Sequence, residues 1–353
     1  MTDAAKIVSV GTALAPNYIT QDELTAALRR VWVEHGGATE KFDRLQRALG
    51  VRGRFLAMPL GDYPPRSFAA ANKVWSQAAP ELCIAAATDA LERAHLEPSG
   101  IDHIFFISVT GIAAPSIDAV MANRLGMRRD IKRTPIFGLG CAGGVSGVAR
   151  AADYLRAFPD DVALVVTVEL CSLTIQPRDL SPANMIASGL FGDGAAAAVI
   201  AGAARKCEFA PRIAATRSIL YPNTEHVMGW EVIDSGFKIV LSAELPDLIR
   251  ANLRADADSF LSDNGLSRGA ISHWIAHPGG PGILRAVQQS LEIDSASLAH
   301  SWRFLKTAGN LSSASVLFVM RAFLDEGRAL PGDWGVMLAM GPGFSAELAL
   351  LQW

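Results

Sequence analysis

Three side chains carry the chemistry this sequence could perform: Cys141, His277 and Asn310. Cys141 lies in the run TPIFGLGCAGGVSG over 134–147, where an apolar segment meets a cysteine bracketed by glycines and followed by small residues. Such a run lifts one side chain out of a sheet on a sharp turn, and glycine permits the turn and lets a substrate approach the backbone. A helix opening near residue 143 would offer free N–H groups and the positive end of its dipole to the sulfur, which favours thiolate. Taken alone, the run fits equally an inert cysteine buried at a strand end, the commoner fate of a free thiol.

A second copy of the pattern favours the reactive reading. Residues 138–169 and 307–343 both read glycine, polar residue, small residues, apolar helix, Asp-containing turn and apolar strand. The polar residue is Cys141 in the first copy and Asn310 in the second. An earlier pair, 99–126 and 269–293, reads strand, Gly- and Pro-containing loop, then helix, and the second of these loops carries His277. Many short copies would signal a repeat array. Two long ones predict a single pseudosymmetric unit that brings the polar strand ends together. A cysteine and a histidine within reach form a thiolate–imidazolium pair able to attack a thioester at neutral pH. An asparagine amide beside the histidine adds a donor toward a carbonyl oxygen that becomes an enolate. Two such donors around an apolar cavity suit decarboxylation of a malonyl thioester.

The elements that must position these groups are legible as an α/β alternation. The pattern predicts a strand over 6–14, helices over 22–34 and 40–49, a loop over 58–67 and a long Ala-rich helix over 68–95. Strands over 103–109, 134–138 and 162–168 alternate with helices over 116–126 and 144–157. A polar loop over 171–187 leads into a strand over 192–200. Strands near 211–220 and 237–241 precede a helix over 243–264. A strand over 272–276, helices over 281–291 and 312–327 and strands over 334–340 and 344–351 complete the chain. The two halves are expected to be 1–200, carrying the cysteine, and 201–353, carrying the histidine and asparagine.

Bulk composition narrows the classes. Of 353 residues half are apolar and 19% charged, with seven tryptophans and fifteen phenylalanines for a large core. A net charge of -3 gives no reason to expect a nucleic-acid partner or an anionic membrane surface. Cys83, Cys141, Cys171 and Cys207 are widely spaced without a CxxC, so neither a metal site nor a disulfide framework is implied. No apolar run approaches the ~18 residues of a membrane span, and the amino terminus has no signal-peptide stretch. The expectation is a soluble cytoplasmic protein with no integral membrane segment.

The motifs together resemble the thiolase superfamily and, within it, the type III polyketide synthases of the chalcone-synthase kind. The resemblance covers almost the whole chain. It rests on GCAGGVSG around Cys141, LFGDGAAAAVI at 190–200, WIAHPGGPGIL at 274–284, AGNLSSAS at 308–315 and AMGPGFSAELALL at 339–351. It implies an αβαβα thiolase-like fold in two pseudosymmetric halves and a catalytic triad of Cys141, His277 and Asn310. By the same resemblance Phe191 and Phe237 guard the passage between a CoA tunnel and a cavity. Thr110, Cys171, Thr174, Met228 and Ser312 line or shape that cavity, and Lys41, Arg44 and Arg47 match a basic cluster for CoA phosphates. The family's Gly-Phe-Gly-Pro-Gly loop stands here as Ala339-Met340-Gly341-Pro342-Gly343, so the cavity wall at that loop departs from the family's.

The activity implied is decarboxylative condensation of malonyl-CoA onto an acyl-CoA starter, without a cofactor and in a homodimer. The segment HVMGWEVIDSGFKIVLS at 226–242 resembles bacterial members that make alkylpyrones or alkylresorcinols, which implies a long fatty acyl starter. Two alternatives stay open: a single condensation on acyl carrier protein, as in ketoacyl synthase III, and a non-catalytic acyl-CoA-binding scaffold. Residue by residue, Lys41, Arg44 and Arg47 also fit a solvated helix face, Phe191 and Phe237 plain core aromatics, and Cys171 simple packing. Glu169 reads as a cavity-wall or structural acid and Asp193 as a turn residue between glycines.

Overall fold

A computed structural model describes residues 4–33, 39–64, 67–207 and 210–353. The first half contains β1 (Lys6–Leu14), β2 (Asn17–Thr20), α1 (Gln21–Val33), α2 (Thr39–Ala48), β3 (Gly53–Leu56) and α3 (Phe68–Ala94). It continues through β4 (His103–Ile107), α4 (Ile117–Arg124), β5 (Lys132–Ile136), α5 (Gly143–Ala157), β6 (Val162–Leu170), α6 (Pro182–Leu190) and β7 (Asp193–Ala201). The second half contains β8 (Arg212–Leu220), β9 (Met228–Ile233), β10 (Gly236–Leu241), α7 (Leu245–Asp263), β11 (Ile271–Ala276) and α8 (Pro281–Leu291). It ends with α9 (Ala299–Ala308), α10 (Ser315–Glu326), β12 (Trp334–Gly341) and β13 (Ser345–Gln352).

Alternation of side chains across each strand builds the layers. Ala196, Ala198 and Ile200 of β7 face a core that holds α5 and α10, whereas Ala195, Ala197 and Val199 face a second core with α3 and α4. In the other half Met337 and Ala339 of β12 face the α5/α10 core, and Val336, Leu338 and Met340 face a third core with α7 and α8. The order is therefore α3/α4, sheet, α5/α10, sheet, α7/α8, the αβαβα stack. Strands buried on both faces read as near-continuous apolar runs, as VALVVTVEL of β6 does. The two half-sheets touch at one register pair, Lys6↔Arg212, so nine strands run in the order β11-β12-β13-β8-β1-β7-β6-β4-β5. The halves repeat the same path: β4 lies parallel to β6 as β11 lies parallel to β12, and α9 stands in chain order where the first half has β5.

Several elements differ from the pattern reading. The loop expected over 171–187 is shorter, because α6 begins at Pro182 with Ser181 accepting from the Asn184 N–H at 3.2 Å. That is an ordinary helix start, a capping serine followed by proline at the first position. Strand β9 pairs with β10 to form a separate two-stranded ribbon, and β2 pairs with β3 in another. Helix α9 is likewise additional to the expected set. Among the described residues no helix is long and apolar enough to cross a membrane.

Candidate active site

Cys141 stands in a 3₁₀ turn, Gly140–Ala142, that runs directly into α5. Gly140 has φ of +48°, and a Cβ there would lie 2.5 Å from Cδ of Pro342, so conformation and space both demand glycine. The second half builds the same device. Leu311 precedes a 3₁₀ turn, Ser312–Ala314, leading into α10, with Ser312 at φ +45°. Aligned by geometry, Cys141 therefore corresponds to Ser313, not to Asn310 as the motif alignment had it. Asn310 lies just before the turn, where the copies differ in length between glycine and helix. His277 follows the end of β11 as Ser108 follows the end of β4.

Cys141, His277 and Asn310 nevertheless meet. All three line one cavity of about 380 Å³, and they are 7%, 6% and 2% exposed. The Cys141 thiol donates to Ser312 Oγ at 3.7 Å. Asn310 Oδ1 accepts from the Ser312 N–H at 2.7 Å and from Ser315 Oγ at 3.5 Å, while its Nδ2 donates to the Gly279 carbonyl at 3.2 Å. That arrangement fixes which end of the amide is the donor. Neither ring nitrogen of His277 has a hydrogen-bond partner among the described residues, although its backbone N–H is held by Leu338 O at 2.8 Å. Burial pushes the Cys141 thiol up to about 11 and the His277 imidazole down to about 3. Burial alone disfavours the charged form of each group, so the thiolate–imidazolium pair expected from sequence would have to draw on the mutual attraction of the two charges.

Glu169 supports the floor. At the end of β6 it is fully buried, accepting from Ser313 Oγ at 2.5 Å, Thr110 Oγ1 at 2.8 Å and the Val109 N–H at 3.2 Å. Desolvation raises its pKa to about 7. It ties the loop after β4 to the turn before α10, so one carboxyl joins the two halves beneath Cys141.

The remaining expected residues divide between two cavities. Phe191, Met228 and Ser312 line the first with the triad. Cys171, Thr174 and again Phe191 line a second cavity of about 320 Å³. Thr110 reaches neither wall: it donates to Glu169 and accepts from the Leu170 N–H at 2.9 Å, shaping the floor from behind. Phe237 lines neither of these two cavities. It is 2% exposed and packs its ring on Phe68, Phe137 and Trp230 at 5.2, 6.3 and 6.2 Å. The residue lining both cavities beside Phe191 is Ile239. Phe237 and Ile239 share a face of β10 but stand about 7 Å apart along the strand, a register that the sequence does not display.

On α2, Arg44 and Arg47 are exposed, and Leu45, Ala48 and the following Leu49 line the first cavity. The side chain of Lys41 lies outside the described residues. Arg285, exposed on α8 and lining the same cavity, is a cation that motif reading missed, for it follows the Pro-Gly run without any signal of its own. Among the described residues no group of three or more His, Cys, Asp or Glu side chains could hold a metal ion.

Comparison with known proteins identifies what the chain is similar to. Residues 2–204 match the family model of chalcone and stilbene synthases, N-terminal domain, and residues 212–352 match that of the C-terminal domain. A 1,3,6,8-tetrahydroxynaphthalene synthase of Streptomyces peucetius subsp. caesius is 47% identical, over 98% of this chain and 93% of that protein. A putative chalcone synthase of Bacillus subtilis is 37% identical over 99% of both chains. The crystal structure of 1,3,6,8-tetrahydroxynaphthalene synthase from Streptomyces coelicolor A3(2), a bacterial type III polyketide synthase, superposes with a TM-score of 0.93. It is 32% identical, with 99% of each chain covered.

Proposed function

Since the chain belongs to the chalcone and stilbene synthase family, and is a type III polyketide synthase that condenses malonyl-CoA iteratively, we propose that its starter is a long fatty acyl-CoA carried on Cys141. In loading, the sulfur attacks the acyl-CoA carbonyl, His277 takes the thiol proton, and CoA leaves as its thiolate and is reprotonated. In extension, the C–C bond to the malonyl carboxylate breaks, CO₂ departs, and the electron pair becomes an enolate whose oxygen faces His277 and Asn310. The enolate carbon then attacks the acyl-Cys141 carbonyl and releases the sulfur. Repetition and cyclisation give an alkylpyrone or alkylresorcinol. No cofactor takes part, because CoA thioesters bring both the leaving group and the electron pair.

The observation that carries the long-chain reading is the pair of cavities meeting at Phe191 and Ile239. Leu24, Leu28, Val31, Leu56 and Leu60 line the second beside the polar Thr174, Asn184 and Ser188, and their apolar surface would suit an alkyl chain whose carbonyl is on Cys141. Arg285, which lines the first, and Arg44 and Arg47, exposed on α2 beside its lining residues Leu45 and Ala48, suit CoA phosphates. A homodimer is part of the proposal: β5 is a sheet edge, and Ile112 and Phe137 near it are 51% and 56% exposed.

A second reading has its own support. The product named for the Streptomyces relatives, tetrahydroxynaphthalene, has ten ring carbons, or five two-carbon units, which favours malonyl-CoA as starter and extender alike. Catalytic efficiency across starters from acetyl to about eighteen carbons, with malonyl-CoA as extender and a coumaroyl-type starter as control, separates the two. A tunnel gains ~0.8 kcal/mol per buried CH₂, about fourfold per carbon, until it is filled. A maximum at acetyl, malonyl or the aromatic starter rejects the long-chain reading and leaves the condensation chemistry standing.

A further inference from the structure

The carboxy-terminal end of α6 is held by three side chains from three other elements. The Arg54 guanidinium, from β3 and 0% exposed, donates through Nη1 to the carbonyls of Phe191 at 3.1 Å and Ser188 at 3.4 Å. Through Nη2 it donates to the Gly189 carbonyl and to Gln21 Oε1. Gln21, first residue of α1, passes its amide on to Gln46 Oε1 at 2.8 Å and to the Gly189 carbonyl at 3.2 Å. Gln46, from α2, donates to the Met185 carbonyl at 2.7 Å. Carbonyls at a helix end lack partners within the helix, and a cation there opposes the negative end of the dipole. A Cβ on Gly189 would lie 1.9 Å from Gln46 Oε1, so any larger residue there would displace the Gln46 amide.

This helix end is tied to the backbone of Asn310. The Leu190 carbonyl accepts the Asn310 N–H at 2.9 Å, and the Gly192 N–H donates to the Asn310 carbonyl at 2.9 Å, so Phe191 and Asn310 form an isolated backbone bridge. Phe191 is also the ring lining both cavities. Arg54 therefore grips the one peptide unit that places both the partition and the donor amide. Gln46 sits on α2, whose Leu45 and Ala48 line the first cavity, as does Leu49 just after it.

We infer that Arg54, with Gln21 and Gln46, is a positioning residue for condensation, acting through the Phe191–Asn310 bridge and linking it to the rim helix α2. The inference rests on the reading of Asn310 and Phe191 given above. It does not make Arg54 a contact of the reacting atoms. Burial lowers its pKa to about 9, which leaves the guanidinium charged at neutral pH, with Asp193 as the nearby compensating charge.

Arg54→Lys keeps the cation and loses the fork, and Gln46→Leu removes the α2 arm without touching Arg54. For each variant, acylated Cys141 is counted by intact mass, which measures properly folded sites. Rates are then expressed per acylated site, so a loss of stability alone cancels. The expected result is acylation close to wild type, KM for malonyl-CoA within about threefold, and kcat per acylated site lower by about 10- to 100-fold, as small misplacement of a catalytic group produces. Products should also shift by at least one extension unit. A per-site kcat and product distribution equal to wild type in both variants overturns the inference, and Gln46→Leu alone decides should Arg54→Lys fail to fold. A wild-type protein that makes no polyketide from malonyl-CoA would instead overturn the reading beneath it.

Discussion

Removing the Phe191 ring and removing the Phe237 ring should have opposite kinds of consequence, although the sequence resemblance implies the same guarding role for both. Phe191 borders two cavities of about 380 and 320 Å³, so Phe191→Ala joins them into one. If four further methylenes then find apolar surface, at ~0.8 kcal/mol each, the longest starters gain ~3 kcal/mol, roughly 200-fold in kcat/KM relative to short ones. Phe237 borders neither cavity and is enclosed by three aromatic rings. Its deletion should cost ~3–5 kcal/mol of stability, as for other buried phenylalanines, and leave the chain-length profile where it was. Ile239→Trp, by filling the gap between the cavities, should move the profile toward shorter starters. The assay is kcat/KM against acyl chain length for the three variants, beside thermal melting. A Phe237→Ala profile that shifts as Phe191→Ala does, or a Phe191→Ala profile identical to wild type, would refute the assignment of the partition.

Three further outcomes test the site. Cys141→Ala should abolish the acyl adduct with the fold intact; an adduct persisting on Cys171, which lines the neighbouring cavity, would contradict the choice of nucleophile. Asn310→Ala should lower malonyl-CoA decarboxylation by ~10²–10³, the usual loss for one oxyanion donor, and a wild-type rate would remove its role. Glu169 is fully buried, and desolvation first of all raises its pKa from 4.5 to about 7. The folded chain therefore keeps a proton that the unfolded chain releases above pH 4.5. The resulting penalty is absent below that pH, grows through the window, and is complete above about pH 7, on the order of 3 kcal/mol. Urea unfolding should show wild type losing stability relative to Glu169→Gln between pH 4.5 and 7; parallel curves would count against it.

Much of this architecture was legible because its signals are periodic and local. The apolar runs of β6, β7 and β12 announce buried strands, and the glycines around Cys141 announce the turn that Gly140 makes at φ +48°. What was not legible is what depends on register between elements. Aligning the copies on their first glycine paired Cys141 with Asn310, whereas the turns pair it with Ser313, because the span from glycine to helix differs between halves. The two positions Phe237 and Ile239 are equivalent in any alternating pattern, and only the packing of the β9–β10 ribbon decides which one meets the cavity. Arg54 had no signal at all: VRGRF is a short edge segment in sequence, and its meaning comes from an α6 terminus more than 130 residues away.

Burial of Cys141 and His277 bears directly on the chemistry proposed for them. Burial that holds Cys141 at about 11 and His277 at about 3 would hinder either group acting alone. Proton transfer from thiol to imidazole instead creates both charges together, where their attraction in a low-dielectric cavity offsets what each loses in hydration. A malonyl carboxylate brought into the same cavity has no such partner among the triad, which offers only neutral donors. Loss of CO₂ moves its charge to the thioester oxygen, where a preorganised N–H is worth more than it would be in water. His277, with both ring nitrogens unpartnered among the described residues, would be free in the proposed mechanism to accept the thiol proton in loading and to donate in decarboxylation. Asn310 is the opposite case: its oxygen is committed to Ser312 and Ser315, so its amide presents donors only. One mobile proton carrier beside one fixed donor is the arrangement that alternating acyl transfer and enolate formation requires.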